Sequence, residues 1–170
     1  MNADEALQFL AEHSPLPDDD DLSDELIGKY DEVRRFFLDH PDPRSIAPFL
    51  NSFGSGSGFG VYQLVEDVIR PFSPEKVLPH LLAALRSPHP GVRYWSLQMA
   101  PDFAGDTLIE ATMENLKHSD PNVRSAAADA LSFIGNESAI KALEAARQAE
   151  RDDDVRHAME EALSDLLSKR

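Results

Sequence analysis

Residues 54–60 read Gly-Ser-Gly-Ser-Gly-Phe-Gly, a run in which backbone amides could converge on a phosphate. The spacing does not support that chemistry. No Lys-Ser or Lys-Thr follows, no set of residues satisfies G-x-G-x-x-G, and the segment joins two expected helices rather than following a strand. It reads as a flexible helix–helix loop, longer than a tight turn requires, with Phe59 as a candidate contact residue. The run Asp18-Asp19-Asp20-Asp21 suggests calcium. Counted from Asp18, however, Leu22, Ser23 and Lys29 occupy the fifth, sixth and twelfth positions, where a ligand, glycine and glutamate belong. That run is expected to be solvent-facing loop. Asp152-Asp153-Asp154 is expected at a helix start, where negative charge favours the helix dipole.

The remaining candidates for chemistry are no stronger. None of the six histidines pairs with a second histidine or a carboxylate at metal-ligand spacing. Cysteine is absent, which excludes a thiol nucleophile, a zinc ribbon, an iron–sulfur cluster and a disulfide framework. No G-x-S-x-G elbow is present. The adjacent carboxylates Glu66-Asp67 and Glu160-Glu161 splay around a helix, and Glu66 with Arg70 makes a simple i,i+4 ion pair. The chain is therefore read as non-enzymatic, with no catalytic residue, cofactor or metal.

The elements that would position a binding surface repeat. Val-Arg occurs at 92–93, 123–124 and 155–156, each pair after a turn-like stretch, and the same register places Val61-Tyr62 one step earlier. Ile46-Ala-Pro-Phe-Leu50, Val77-Leu-Pro-His-Leu81, Leu108-Ile-Glu-Ala-Thr112 and Ala139-Ile-Lys-Ala-Leu143 align in the same way. Four units of about thirty-one residues follow, at about 43–72, 74–103, 106–135 and 137–168, each expected to be two helices. Val77, Leu78, Leu81, Leu82 and Leu85, then Val92, Trp95, Met99 and Ala100, recur at helical spacing. Ser87, Asp120 and Asp152 or Asp153 stand where a short polar side chain caps a second helix. A single helix pair cannot hide its apolar face, so stacking is required.

Asp120-Pro-Asn-Val-Arg124, with Ala126-Ala127 and Ala130-Leu131, resembles the second helix of HEAT-like repeats, in the short form found in phycobilin lyase subunits and many bacterial proteins. The resemblance implies an all-α, right-handed α-solenoid over residues 40–170. It also implies an Asp–Arg ladder between neighbouring units, matched by Asp120 with Arg124 and Asp152 with Arg156. Arg93 lacks its Asp, and Tyr62 replaces the first Arg. Residues 1–39 lie outside the repeat and are expected to form an acidic helical cap, with helices over 4–12 and 23–38. The second of these carries Leu26, Ile27, Tyr30, Val33, Phe36 and Phe37 on a broad apolar face.

Charge narrows the partner. The net formal charge is −15, made of −9 in residues 1–39, zero in 40–105 and −6 in 106–170. Such acidity argues against nucleic acid and anionic membranes. No apolar run reaches the ~18 residues of a membrane helix, and the first ten residues do not resemble a signal peptide, so a cytoplasmic protein is expected. The neutral middle holds Phe49, Phe53, Phe59, Tyr62, Phe72, Tyr94, Trp95 and Phe103, as core or interface.

In the repeat register, Gln63, Tyr94, Ser125 and His157 form one second-helix column, and Asp67, Gln98, Asp129 and Glu161 the column one turn on. Leu64, Trp95, Ala126 and Ala158 between them should be core. The resemblance places the two outer columns on the concave side, polar and net acidic, with Tyr94 as an aromatic anchor. The expected function is a protein-binding module, monomeric when free, that neutralises or scaffolds a basic protein. Residues 60–69 through Arg93-Tyr94-Trp95 also resemble immunity proteins that accompany secreted toxins. An alternative implied by the same likeness is an accessory subunit of a lyase, its aromatic belt lining a cavity.

Overall fold

In a computed structural model, residues 1–103 and 105–169 are described, and among them lie ten α-helices, four 3-10 turns and no strand. The fold is all-α and solenoid-like, built from helical repeats. The chain divides into two compact units, Met1–Trp95 and Ser96–Arg170.

In the first unit, α1 (Ala3–Glu12) starts at a reciprocal cap. The Asn2 side chain accepts from the Glu5 amide, and the Glu5 carboxylate accepts from the Asn2 amide. Helix α2 (Asp24–Asp39) is capped by Ser23 and buries Ile27, Tyr30, Val33 and Phe37, most of the apolar face expected of it. Helix α1 packs on α2 and on α3 (Ile46–Asn51), while α2 packs on α4 (Glu66–Ile69).

Residues 43–72 correct one expectation: this unit is not a pair of full helices. Helix α3 ends after six residues, and 3-10 turns at Gly58–Gly60 and Tyr62–Val65 precede the single turn of α4. The physical reason lies in the backbone. Gly56, Gly58, Gly60 and Phe59 all have positive φ, at 102°, 55°, 88° and 50°, and no right-handed helix runs through such residues. Leu64 is consequently not core but 39% exposed, because a three-residue turn does not keep the 3.6-residue register. Trp95 and Ala158 are half-buried, so of that expected core column only Ala126 is buried.

The aromatic belt of this unit packs on itself. Tyr62 meets Tyr30, Phe53 and Trp95 edge-on, with ring centroids 5.9, 5.4 and 5.9 Å apart. Phe49 meets Tyr30 and Phe37 in the same manner. The Tyr30 hydroxyl is 2.7 Å from Ser52 Oγ, and burial raises its phenol pKa; burial likewise pushes Tyr62 up to about 12. Helix α5 (Pro74–Ala84) begins on a proline and buries Val77, Leu81 and Ala84, and it packs on α3. Helix α6 (Pro90–Met99) follows.

The second unit is regular. Helices α7 (Asp106–Asn115) and α8 (Pro121–Ile134), then α9 (Glu137–Ala149) and α10 (Asp153–Ser168), fall within 106–135 and 137–168. Asp120, Asn136 and Asp152 cap α8, α9 and α10 by accepting amide hydrogens from their first turns. Helix α8 packs on α7 and α10, and α9 packs on both of those as well. Small side chains make this possible: Ala126, Ala127, Ala128 and Ala130 are all buried on α8, with Leu131.

The Val-Arg arginines share one geometry, though not the expected ladder. Arg93, Arg124 and Arg156 each donate to the carbonyl six residues earlier, on Ser87, His118 and Glu150. Between repeats, Arg124 grips Glu150 through Nε and Nη2 at 2.7 and 2.9 Å. Asp120 and Asp152 are engaged in capping, so Glu150 takes the acidic place in the rung. Hydrogen bonds from Arg124 lower the Glu150 pKa to about 2.

Candidate protein-binding surface

The expected contact residues fall in both units. In the first, Gln63 is exposed on a 3-10 turn and Asp67 on α4, whereas Tyr94 is half-buried with its ring edge-on to Trp95 at 5.3 Å. Phe59 is 57% exposed. Its loop is not the loose connection expected from glycine content. Asp19 accepts from the Ser57 and Gly58 amides, each at 2.8 Å, and Asp18 accepts from the Ser55 amide at 3.0 Å. Of the Asp18–Asp21 run, Asp18, Asp20 and Asp21 are exposed as expected and Asp19 is half-buried, while Asp18 and Asp19 also bind the loop.

In the second unit, Ser125 is half-buried and Gln98, Asp129, His157 and Glu161 are exposed. Gln98, Asp129 and Glu161 converge, with Ser132, Phe133 and Asp165, around an open cavity of about 610 Å³. Ser125 and His157 are not part of its lining; His157 Nε2 lies 3.4 Å from Glu161 Oε1. Partial burial, with a smaller contribution from the Glu161 charge, raises the Asp129 pKa.

Phe133 and Asp165 were not among the expected residues. Each stands four positions beyond a column member, Asp129 or Glu161, so extending the same column by one turn would have found them. Phe133 is the most exposed large apolar side chain among the described residues, at 69%. The Lys169 ammonium lies 5.3 Å from its ring centroid and donates to the Ser132 carbonyl at 2.6 Å. An aromatic face beside carboxylates is chemically a seat for a lysine or arginine side chain.

A second concavity, about 770 Å³, lies between α7 and α9, floored by Met113, Leu116, Ala142, Ala145, Ala146 and Ala149. Among the described residues no helix is long and apolar enough to cross a membrane.

The family model for HEAT repeats matches residues 78–164, and no curated protein matches the sequence. HEAT repeats generally mediate protein–protein interaction. The match runs from within α5 into α10 and covers just over half of the chain, which therefore belongs to the HEAT repeat family.

Proposed function

We propose that this chain is a non-catalytic protein-binding module that holds a basic protein partner through the face formed by its second helices, neutralising or scaffolding it as an immunity protein would. The observation that carries this reading is the cavity beside Asp129, Glu161, Asp165 and Phe133. Three carboxylates attract a cationic segment and orient its approach, and the exposed ring supplies apolar contact area and a π face. Gln98 is positioned to hydrogen-bond the partner at the cavity edge. Ser125 and His157 of the same unit are further contact residues, and in the first unit Gln63, Asp67, Tyr94 and Phe59 are contact residues of their own. Residues 1–39 serve as the helical cap of the repeat array, and the free protein is a monomer.

The test is capture of basic proteins from the native host by immobilised protein, followed by quantitative binding of the one retained. Asp129→Arg and Tyr94→Ala should each weaken that binding while the far-UV circular dichroism stays unchanged. Undiminished affinity in both variants would remove the second-helix face from consideration. Increasing salt should weaken the complex, since the attraction acts between surface charges.

A further inference from the structure

The Gly-rich loop holds an anion, and the anion is part of the chain itself. Asp19 Oδ1 accepts from the Gly58 amide, and Oδ2 accepts from the Ser57 amide and, at 3.2 Å, from the Ser57 hydroxyl. The Asp19 amide in turn donates to the Ser55 carbonyl at 3.2 Å, so the two segments bind each other in both directions. Gly56, at φ 102°, passes so closely over the carboxylate that an added Cβ would collide with Asp19 Cγ and both carboxylate oxygens. Successive amides pointing into one concavity form an anion nest, the device that glycine-rich loops use for phosphates. Here it is closed around a bidentate carboxylate.

The geometry points to residues 55–58 as an oxyanion-binding site whose resident ligand is the Asp19 carboxylate, and to this clasp as what holds Phe59 outward. Phe59 follows Gly58 directly, is 57% exposed, and has φ of 50°, which costs a bulky side chain energy unless its surroundings impose it. The clasp supplies that imposition from one side. From the other, Trp95 Nε1 donates to the Gly56 carbonyl at 3.0 Å and the Tyr62 hydroxyl accepts from the Gly54 amide at 3.3 Å. The class of ligand follows from the donors: a small planar carboxylate presenting two oxygens to two adjacent amides. An amide side chain offers one acceptor where two are needed.

Trp95 is the sole tryptophan, and its indole N–H touches the loop, so its emission reports the loop directly. In the full chain, Asp19→Ala should shift Trp95 emission and lower the thermal midpoint. Sodium formate, which restores a carboxylate to the vacated cradle, should reverse both changes, and sodium chloride at equal ionic strength should not. Gly56→Ala should shift the emission in the same sense without responding to formate, because the added Cβ occupies the ligand's place. Asp20→Ala, at an exposed neighbour, should leave the emission as it is. Unchanged emission in Asp19→Ala, a shift that no anion reverses, or reversal by chloride as complete as by formate would each overturn the assignment. If Asp19→Ala does not fold, Asp19→Asn serves in its place: it keeps the shape and loses one acceptor, and wild-type emission in that variant would equally overturn the proposal.

Discussion

Where the second unit carries Arg124, the first carries Tyr62, and the packing around the two positions differs accordingly. Arg124 is a strap between repeats: it holds its own preceding loop by the His118 carbonyl and the next repeat by Glu150. Helices α8, α9 and α10 around it are long and capped, and the buried face of α8 is lined with alanine, so little side-chain volume intervenes where it packs. Tyr62 is a fully buried hub, surrounded by Tyr30, Phe53 and Trp95, and its hydroxyl reaches the Gly54 amide. Of the helices around it α3 and α4 are short, and turns and loops make the remaining connections. One repeat register thus supports two ways of holding loops: a charged strap over small residues, or an aromatic cluster with hydrogen-bonded turns.

That contrast can be broken at its two centres. Tyr62→Ala empties the aromatic cluster and should cost about 3–5 kcal/mol, as large-to-small changes at buried aromatics do. Denaturant unfolding followed by Trp95 emission measures it, and a loss below about 1 kcal/mol would mean the cluster is not the centre of the first unit. Arg124→Met should cost less, about 1.5–3 kcal/mol, the range for hydrogen bonds to charged groups, because its methylenes can still cover the alanines. Hydrogen exchange of α8 and α10 amides reads that loss where it arises.

The pH response sharpens the same distinction. The folded-state pKa of Glu150 is lowered from 4.5 to about 2, so its contribution is fully present above about 4.5 and disappears as pH falls from there towards 2. Acid should therefore loosen the second unit through this strap, and Glu150→Gln should flatten that part of the stability profile. Asp129 behaves in the opposite sense. Its folded-state pKa is raised by burial and by Glu161, so folding favours its protonated form and the ionised form at neutral pH is a strain on the unit. Asp129→Asn should slightly raise the thermal midpoint at pH 7 while weakening the complex with a basic partner. A midpoint that falls instead would mean that Asp129 is a structural group rather than a binding one.

The helices of the second unit were legible because three independent signals coincide there: apolar spacing, capping residues ahead of the second helix of each repeat, and Val-Arg at a nearly constant interval. Gln98, Asp129 and Glu161 were found as members of periodic columns, and the cavity brings those three together. The first repeat was not legible in the same way. Its register aligns Tyr62 with the arginines, but that side chain is a buried ring whose hydroxyl accepts from the Gly54 amide, and positive φ at residues 56 and 58–60 replaces the helix with turns. No local pattern indicates that Asp19 closes on a loop nearly forty residues later. Gly91 shows the same limit. Its Cβ-less backbone lies against the Gly54 carbonyl, a long-range contact that the Pro-Gly-Val-Arg motif does not announce.

The acidity is likewise divided between the two regions, and reversing it separately tests the central claim most directly. Affinity for a basic protein captured from the host should be measured for the wild type, for Asp129→Arg with Glu161→Arg, and for Asp20→Arg with Asp21→Arg, all confirmed folded. The account predicts that reversal on α8 and α10 abolishes binding while reversal in the N-terminal run leaves most of it. Equal loss in both variants, or loss only with the N-terminal reversal, would contradict it.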